Sequence, residues 1–185
     1  MQVSPDEVKA GLECYDPEQS LFPQLREGAG IKELTARHVL LILRWKLGRI
    51  KNAHAATVSP SNLAKINNAL VLAGQPERGR DALEALTTVE EIGLAVATVL
   101  LTVRYPDRYT IIDWRVLEAL RLQPATTDEW TSTTYISEFL PAVEDFRKQH
   151  SHLSLRQADQ ALWGMSLNKR IVRMAEEASL IPPPV

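Results

Sequence analysis

Asp113 is the residue whose type and place could do the most. It follows the apolar run Tyr109-Thr-Ile-Ile112, precedes Trp114-Arg115, and stands just ahead of a segment with helical spacing. A carboxylate there can cap the helix, which stabilises by about 0.5–2 kcal/mol with no chemistry at all. The same carboxylate, facing a cleft, can stabilise developing positive charge and orient or deprotonate water. It can also pair with Arg115 or with the cluster Trp45-Lys46-x-x-Arg49.

Other groups are weighed beside it. Arg104, Arg108 and Arg115 flank the Thr110–Asp113 segment. Lining one cleft they form a phosphate track; apart, they are ion-pair partners for Asp107 and Glu118. Trp45 lies on an apolar stripe and reads foremost as core, and Trp163 reads as a core anchor. Lys46 and Arg49 fall on the opposite face, where most such cations are solvated. His38 and His54 are far apart, and His150-Ser-His152 has no acid or Cys at metal spacing, so no metal site is expected. Cys14 has no basic neighbour in sequence to activate it. Phosphate-loop, GxSxG and GxGxxG motifs are absent, and no cofactor is expected.

The elements that must position these residues read as helices. Ser4-Pro5-Asp6-Glu7 opens a short helix ending near Tyr15. Residues 16–30 read as a loop. A long helix spans about 31–51, with Leu34, His38, Leu41, Ile42 and Trp45 at inward spacing. Ser59-Pro60 opens the next, with Leu63, Ile66, Leu70 and Val71 inward and Gly74 as its stop. Arg80–Leu86 is a short helix, Thr87–Gly93 a tight connection, and Leu94–Arg104 a helix apolar on nearly all sides, hence central. An extended Tyr109–Ile112 leads to a helix from Asp113 to Leu122. Three segments follow: 133–150 with a break at Pro141, a helix from Ser154 with Gln157 completing a capping box and ending at Trp163, and a third over 167–179. Residues 180–185 read as a flexible Pro-rich tail. This predicts an all-α, compact multi-helix domain spanning 1–185.

The 185 residues are 45% hydrophobic and 24% charged, which excludes wholesale disorder, and one Cys excludes a disulfide scaffold or a Cys-rich metal cluster. The longest apolar run, Leu94–Val103, is about half of a membrane span. With no secretory leader visible, a cytoplasmic protein with no membrane partner is expected. The net charge of −2 is uneven. Residues 31–121 carry 13 Lys+Arg against 9 Asp+Glu, while the flanks carry 8 against 14. The middle can offer a mildly basic face to a polyanion.

The stretch Val89–Leu120 resembles the helix-hairpin-helix DNA glycosylase superfamily. Gly93 matches the final glycine of its hairpin, Ala97 the alanine early in the following helix, Asp113 the catalytic aspartate some twenty residues on, and Val116 the valine after it. The match covers roughly a sixth of the chain. A narrower resemblance, carried by Trp45-Lys46-x-x-Arg49, Ile92-Gly93 with Ala97-Thr98, Tyr109-x-Ile-Ile-Asp113-x-Arg115 and Ala161-Leu162-Trp163, is to a group of small bacterial proteins with no assigned activity.

The first resemblance implies a DNA partner, with Asp113 stabilising an oxocarbenium-like sugar as an N-glycosidic bond breaks. Trp45 or Trp114 would wall the pocket for an extruded base, and Lys46, Arg49 and Arg115 would meet phosphates. Gly93 and Ala95 would lie where the hairpin approaches DNA. Three departures narrow it. Glu91 replaces the hairpin's first glycine and would repel phosphate unless turned away or holding a cation. Ala95 replaces the lysine nucleophile, so Schiff-base chemistry at that position is excluded and a monofunctional glycosylase is what remains. The family's iron–sulfur ligands are missing. The alternatives are a non-catalytic helical module that binds DNA structure or a protein partner, self-association included, and a binder of a small nucleotide.

Overall fold

A computed structural model describes residues 3–13, 33–48 and 54–179. Cys14, the 16–30 loop, Arg49 and the 180–185 tail lie outside the described residues. Those described fold as helices joined by turns, with no strand among them. In order they are α1 (Pro5–Glu13), α2 (Ala36–Leu47), α3 (His54–Thr57), α4 (Pro60–Ala73), α5 (Gly79–Thr87), α6 (Leu94–Arg104), α7 (Trp114–Leu120), α8 (Ser132–Thr134), a π-helical turn (Tyr135–Phe139), α9 (Leu140–Gln149) and α10 (Leu155–Ser179). The all-α expectation holds.

The helix starts follow local capping chemistry. Ser4 and Glu7 close a capping box, with Ser4 N–H donating to Glu7 Oε2 at 2.9 Å and Glu7 N–H to Ser4 Oγ at 3.3 Å. Ser154 and Gln157 close another at the head of α10. Ser59 caps α4 ahead of Pro60. Asp113 caps α7 by accepting the Arg115 N–H at 3.1 Å. At the other end of α7, Arg121 turns left-handed (φ +58°) and the N–H of Leu122 reaches the carbonyl of Leu117.

Helix α6 is the centre: Val96 through Thr102 are all buried. Around it pack Leu83 and Leu86 of α5, Ile66 and Leu70 of α4, Ile42 and Leu43 of α2, and the aromatic pair Tyr135 and Phe139, stacked at 5.5 Å. The C-terminus of α4 is closed from a distance. Tyr105 Oη donates to Leu70 O, Tyr109 Oη to Ala73 O, and Arg108 to Gly74 O, so one turn of chain satisfies three carbonyls that the helix leaves unpaired. Gly74 keeps a helical φ of −63°; it is needed because a Cβ would press on Tyr105 Oη.

Several expectations are corrected. The last two segments are one helix, α10. It does not end at Trp163: Gly164 lies within it, where α10 crosses α1, and a Cβ there would overlap the backbone of Gly11. Gly11 in turn faces the carbonyl of Ala161, so two glycines let the main chains touch. Leu34 and Ile42 are inward as expected, Leu41 and Trp45 pack half-buried against the core, and Val39 and Leu43 of α2 join the fully buried residues. His38 is not inward: its Nδ1 accepts the N–H of Thr35 at the helix start. Val71 is 66% exposed. The break expected at Pro141 is a wide turn just before it, in which Leu140 N–H bonds five residues back to Tyr135 O.

Candidate active site

The extended Thr110–Asp113 segment runs through the core and is pinned from both sides. Tyr135 Oη accepts the Thr110 N–H at 3.1 Å and donates to the Thr110 carbonyl at 2.6 Å. Ile111 N–H donates to Asp159 Oδ2 at 3.3 Å, and Ile112 N–H to Thr98 Oγ1 at 3.2 Å. Three anchors on three elements thus fix the segment that delivers Asp113 to the mouth of a cleft.

Asp113 opens on a cleft of about 180 Å³ lined by Trp45, Lys46, Ile111, Arg156, Asp159 and Trp163. Drug-sized ligand sites run roughly 300–1,000 Å³, so this one suits a single small ring system. Lys46 Nζ donates to Asp113 Oδ2 at 2.8 Å and to Ile112 O at 3.3 Å. The two side chains are 11% and 22% exposed, so the pair is largely withdrawn from water. The pairing of Asp113 with the Trp45–Lys46 cluster is therefore realised, and Lys46 is no solvated surface cation.

Deeper in the cleft, Arg156 Nη1 pairs with Asp159 Oδ2, one turn apart on α10, and both side chains are almost fully buried. Burial holds the Asp159 carboxyl above the ordinary aspartate range, and the Arg156 charge opposes that shift. Among the described residues, the cleft thus holds two carboxylates and two cations between two indoles.

Trp45 is half-buried, packs against the core and also forms a wall of the cleft. The second wall is Trp163, not Trp114. Trp114 stands outside with the Arg115 guanidinium 4.3 Å from its ring centroid. Arg104 and Arg108 stack on Tyr105, so the three arginines around the segment form no single track. Arg115 makes no ion pair with Glu118, whose carboxylate is held by Ser166 Oγ.

Gly93 and Ala95 border a different cavity, of about 480 Å³, with Leu47, His54, Glu91, Asp128 and Trp130. The C-terminal end of α2 separates the two, offering Trp45 and Lys46 to one and Leu47 to the other. Beside Gly93, Ile92 N–H closes a turn on Val89 O, and Glu91 takes φ +66°. The Glu91 Oε2 lies 3.5 Å from Nε2 of buried His54. Among the described residues no cluster of three or more His, Cys, Asp or Glu could hold a metal, and no helix is long and apolar enough to cross a membrane.

Reading the sequence missed Arg156 and Asp159. The available signal was an acid and a base falling among Leu155, Ala158, Ala161 and Leu162, on the apolar face of their own helix. A scan against protein-family models, a search of curated proteins and a search of solved structures give no match for this chain.

Proposed function

We propose that the cleft takes one base or nucleoside drawn out of a DNA strand, and that the protein is a helix-hairpin-helix, glycosylase-like DNA-binding protein acting as a monofunctional N-glycosylase. The observation that carries this reading is Asp113 itself, a carboxylate at the rim of a ring-sized cleft walled by Trp45 and Trp163. A planar base stacks between indoles, and the Arg156–Asp159 pair meets its polar edge. The C1′–N bond then breaks with its electron pair leaving on the base. The Asp113 carboxylate stabilises the positive sugar and takes a proton from the water that adds to C1′. Lys46 and the Arg115 N–H hold the carboxylate in place. Glu91 supports the hairpin resemblance in one respect: at the place of the hairpin's first glycine, it adopts the left-handed φ that glycine favours.

A second reading rests on the same pair. Lys46 and the helix cap already engage both oxygens of Asp113, which suits a non-catalytic module that recognises DNA structure without cutting a bond. The test is binding to short duplexes, intact and carrying an abasic-site mimic, at low and moderate salt. Preference for the mimic that weakens steeply with salt supports a DNA site. Release of a base from damaged duplexes, lost in Asp113→Asn while binding persists, supports catalysis. Binding without release leaves the non-catalytic module. A folded protein that binds neither duplex sinks the DNA reading.

A further inference from the structure

Trp163 belongs to two structures at once. It walls the cleft, and it also begins a stacked column that runs outward. The Arg115 guanidinium lies 5.1 Å from the Trp163 ring centroid and 4.3 Å from that of Trp114, so it is held between two indoles. Arg170, two turns along α10 from Trp163, stacks 5.4 Å from the Trp114 centroid. The order is indole, guanidinium, indole, guanidinium, and it ends at Trp114 and Arg170 on the surface.

The charges of this column differ from those of the cleft. In the cleft, among the described residues, Lys46 pairs with Asp113 and Arg156 with Asp159, so these four charges sum to zero. In the column, neither Arg115 nor Arg170 has a carboxylate partner among the described residues. Glu118, one turn from Arg115, is engaged by Ser166 instead. The Nη1 of Arg115 is buried and has no hydrogen-bond acceptor. Stacking on an indole orients a guanidinium without consuming its in-plane N–H groups, which match a phosphate's oxygens. The neutral cleft suits an uncharged ring, and the unneutralised column beside it suits an anion.

We propose that Trp163–Arg115–Trp114–Arg170 is the phosphate edge of the site, taking a phosphodiester of the DNA strand whose base enters between Trp45 and Trp163. This rests on the reading of the cleft given above and adds the direction in which the strand leaves it.

The test measures affinity for a duplex carrying an abasic-site mimic across a salt series. Arg170→Ala removes an exposed cation, and Arg80→Ala removes one from α5 as a control. The expected result is a several-fold loss of affinity at low salt for Arg170→Ala, with the slope of log K against log salt shallower by about one. Arg80→Ala keeps the wild-type slope. Arg115→Lys keeps the charge but loses the planar stack; it binds the duplex more weakly, with urea melting run beside it to establish folding. A wild-type slope in Arg170→Ala, or an equal change in Arg80→Ala, overturns the column while leaving the cleft standing. A wild-type protein that binds no duplex overturns the column and the cleft reading together.

Discussion

The ammonium of Lys46 lies 2.8 Å from a carboxylate oxygen of Asp113, joining positions 67 residues apart. Helix α2 and the head of α7 meet through this pair at the mouth of the cleft. Asp113 therefore has two structural duties, as cap and as counter-ion, and they can be separated from each other and from chemistry.

Asn caps a helix as well as Asp does, whereas Ala does not. Asp113→Asn should keep the cap and lose the charge; Asp113→Ala should lose both and be less stable by a further ~0.5–2 kcal/mol in urea unfolding. Equal stability of the two variants would show that the cap contributes nothing.

Removing Lys46 alone strands a largely buried carboxylate. Lys46→Met should cost about 1–3 kcal/mol, and adding Asp113→Asn should recover part of it, giving a favourable coupling in a double-mutant cycle. Additive losses would mean that the pair does not stabilise the fold.

Gly164→Ala pushes a methyl group into the backbone of Gly11. Overpacking of this kind costs about 1–3 kcal/mol, and in a chain of this length the melting temperature should fall by roughly 3–10 °C. Gly93→Ala meets open space at an ordinary φ of −79° and should cost less than about 1 kcal/mol. A reversed order would contradict the helix crossing.

These two glycines show what the sequence made legible. Helix starts were legible because a cap is written within four residues: Ser4, Ser59, Asp113 and Ser154 all behave as expected. The continuity of α10 past Trp163 was not legible, because the purpose of Gly164 lies on another helix. The same limit hid the cleft. Asp113 and Trp45 could be singled out, but Arg156, Asp159 and Trp163 join them only through the packing of α10 against the Thr110–Asp113 segment. Leu34 and Ile42 are inward as expected, but that Trp45 also lines a cavity was not legible, since apolar periodicity does not distinguish a cavity wall from core.

Burial raises Tyr109 above the ordinary tyrosine range and Tyr135 well above it. Both phenols stay protonated in the fold at pH values where the unfolded chain has begun to lose those protons. Their contribution is complete below pH ~10 and is lost as pH climbs beyond it. Stability should therefore decline above pH ~10. Tyr135→Phe should be less stable by about 1–3 kcal/mol at neutral pH, since Thr110 loses its partners, and should show a shallower alkaline decline. An unchanged alkaline limb would exclude Tyr135 as its source.

Glu91 sits at φ +66°, where a residue with a side chain is strained by about 1–2 kcal/mol. Glu91→Gly relieves that strain and adds roughly 0.5–1 kcal/mol of unfolded-chain entropy, so stability should rise by up to about 1 kcal/mol despite losing the His54 contact. Removing the carboxylate beside Gly93 should also strengthen duplex binding several-fold at low salt. A fall in both would show that the His54 contact outweighs the strain.

The crossing of Gly11 and Gly164 has a mechanical meaning for the cleft. Trp163 is the neighbour of the residue at which two main chains are already in contact, so the helix bearing this wall has nowhere to retreat. Across the gap, Trp45 rides on the last turn of α2, tied to the far side through the Lys46–Asp113 bond. The aperture thus has a fixed jaw and a latched one. Widening the opening on that side must therefore begin with the breaking of the Lys46–Asp113 bond.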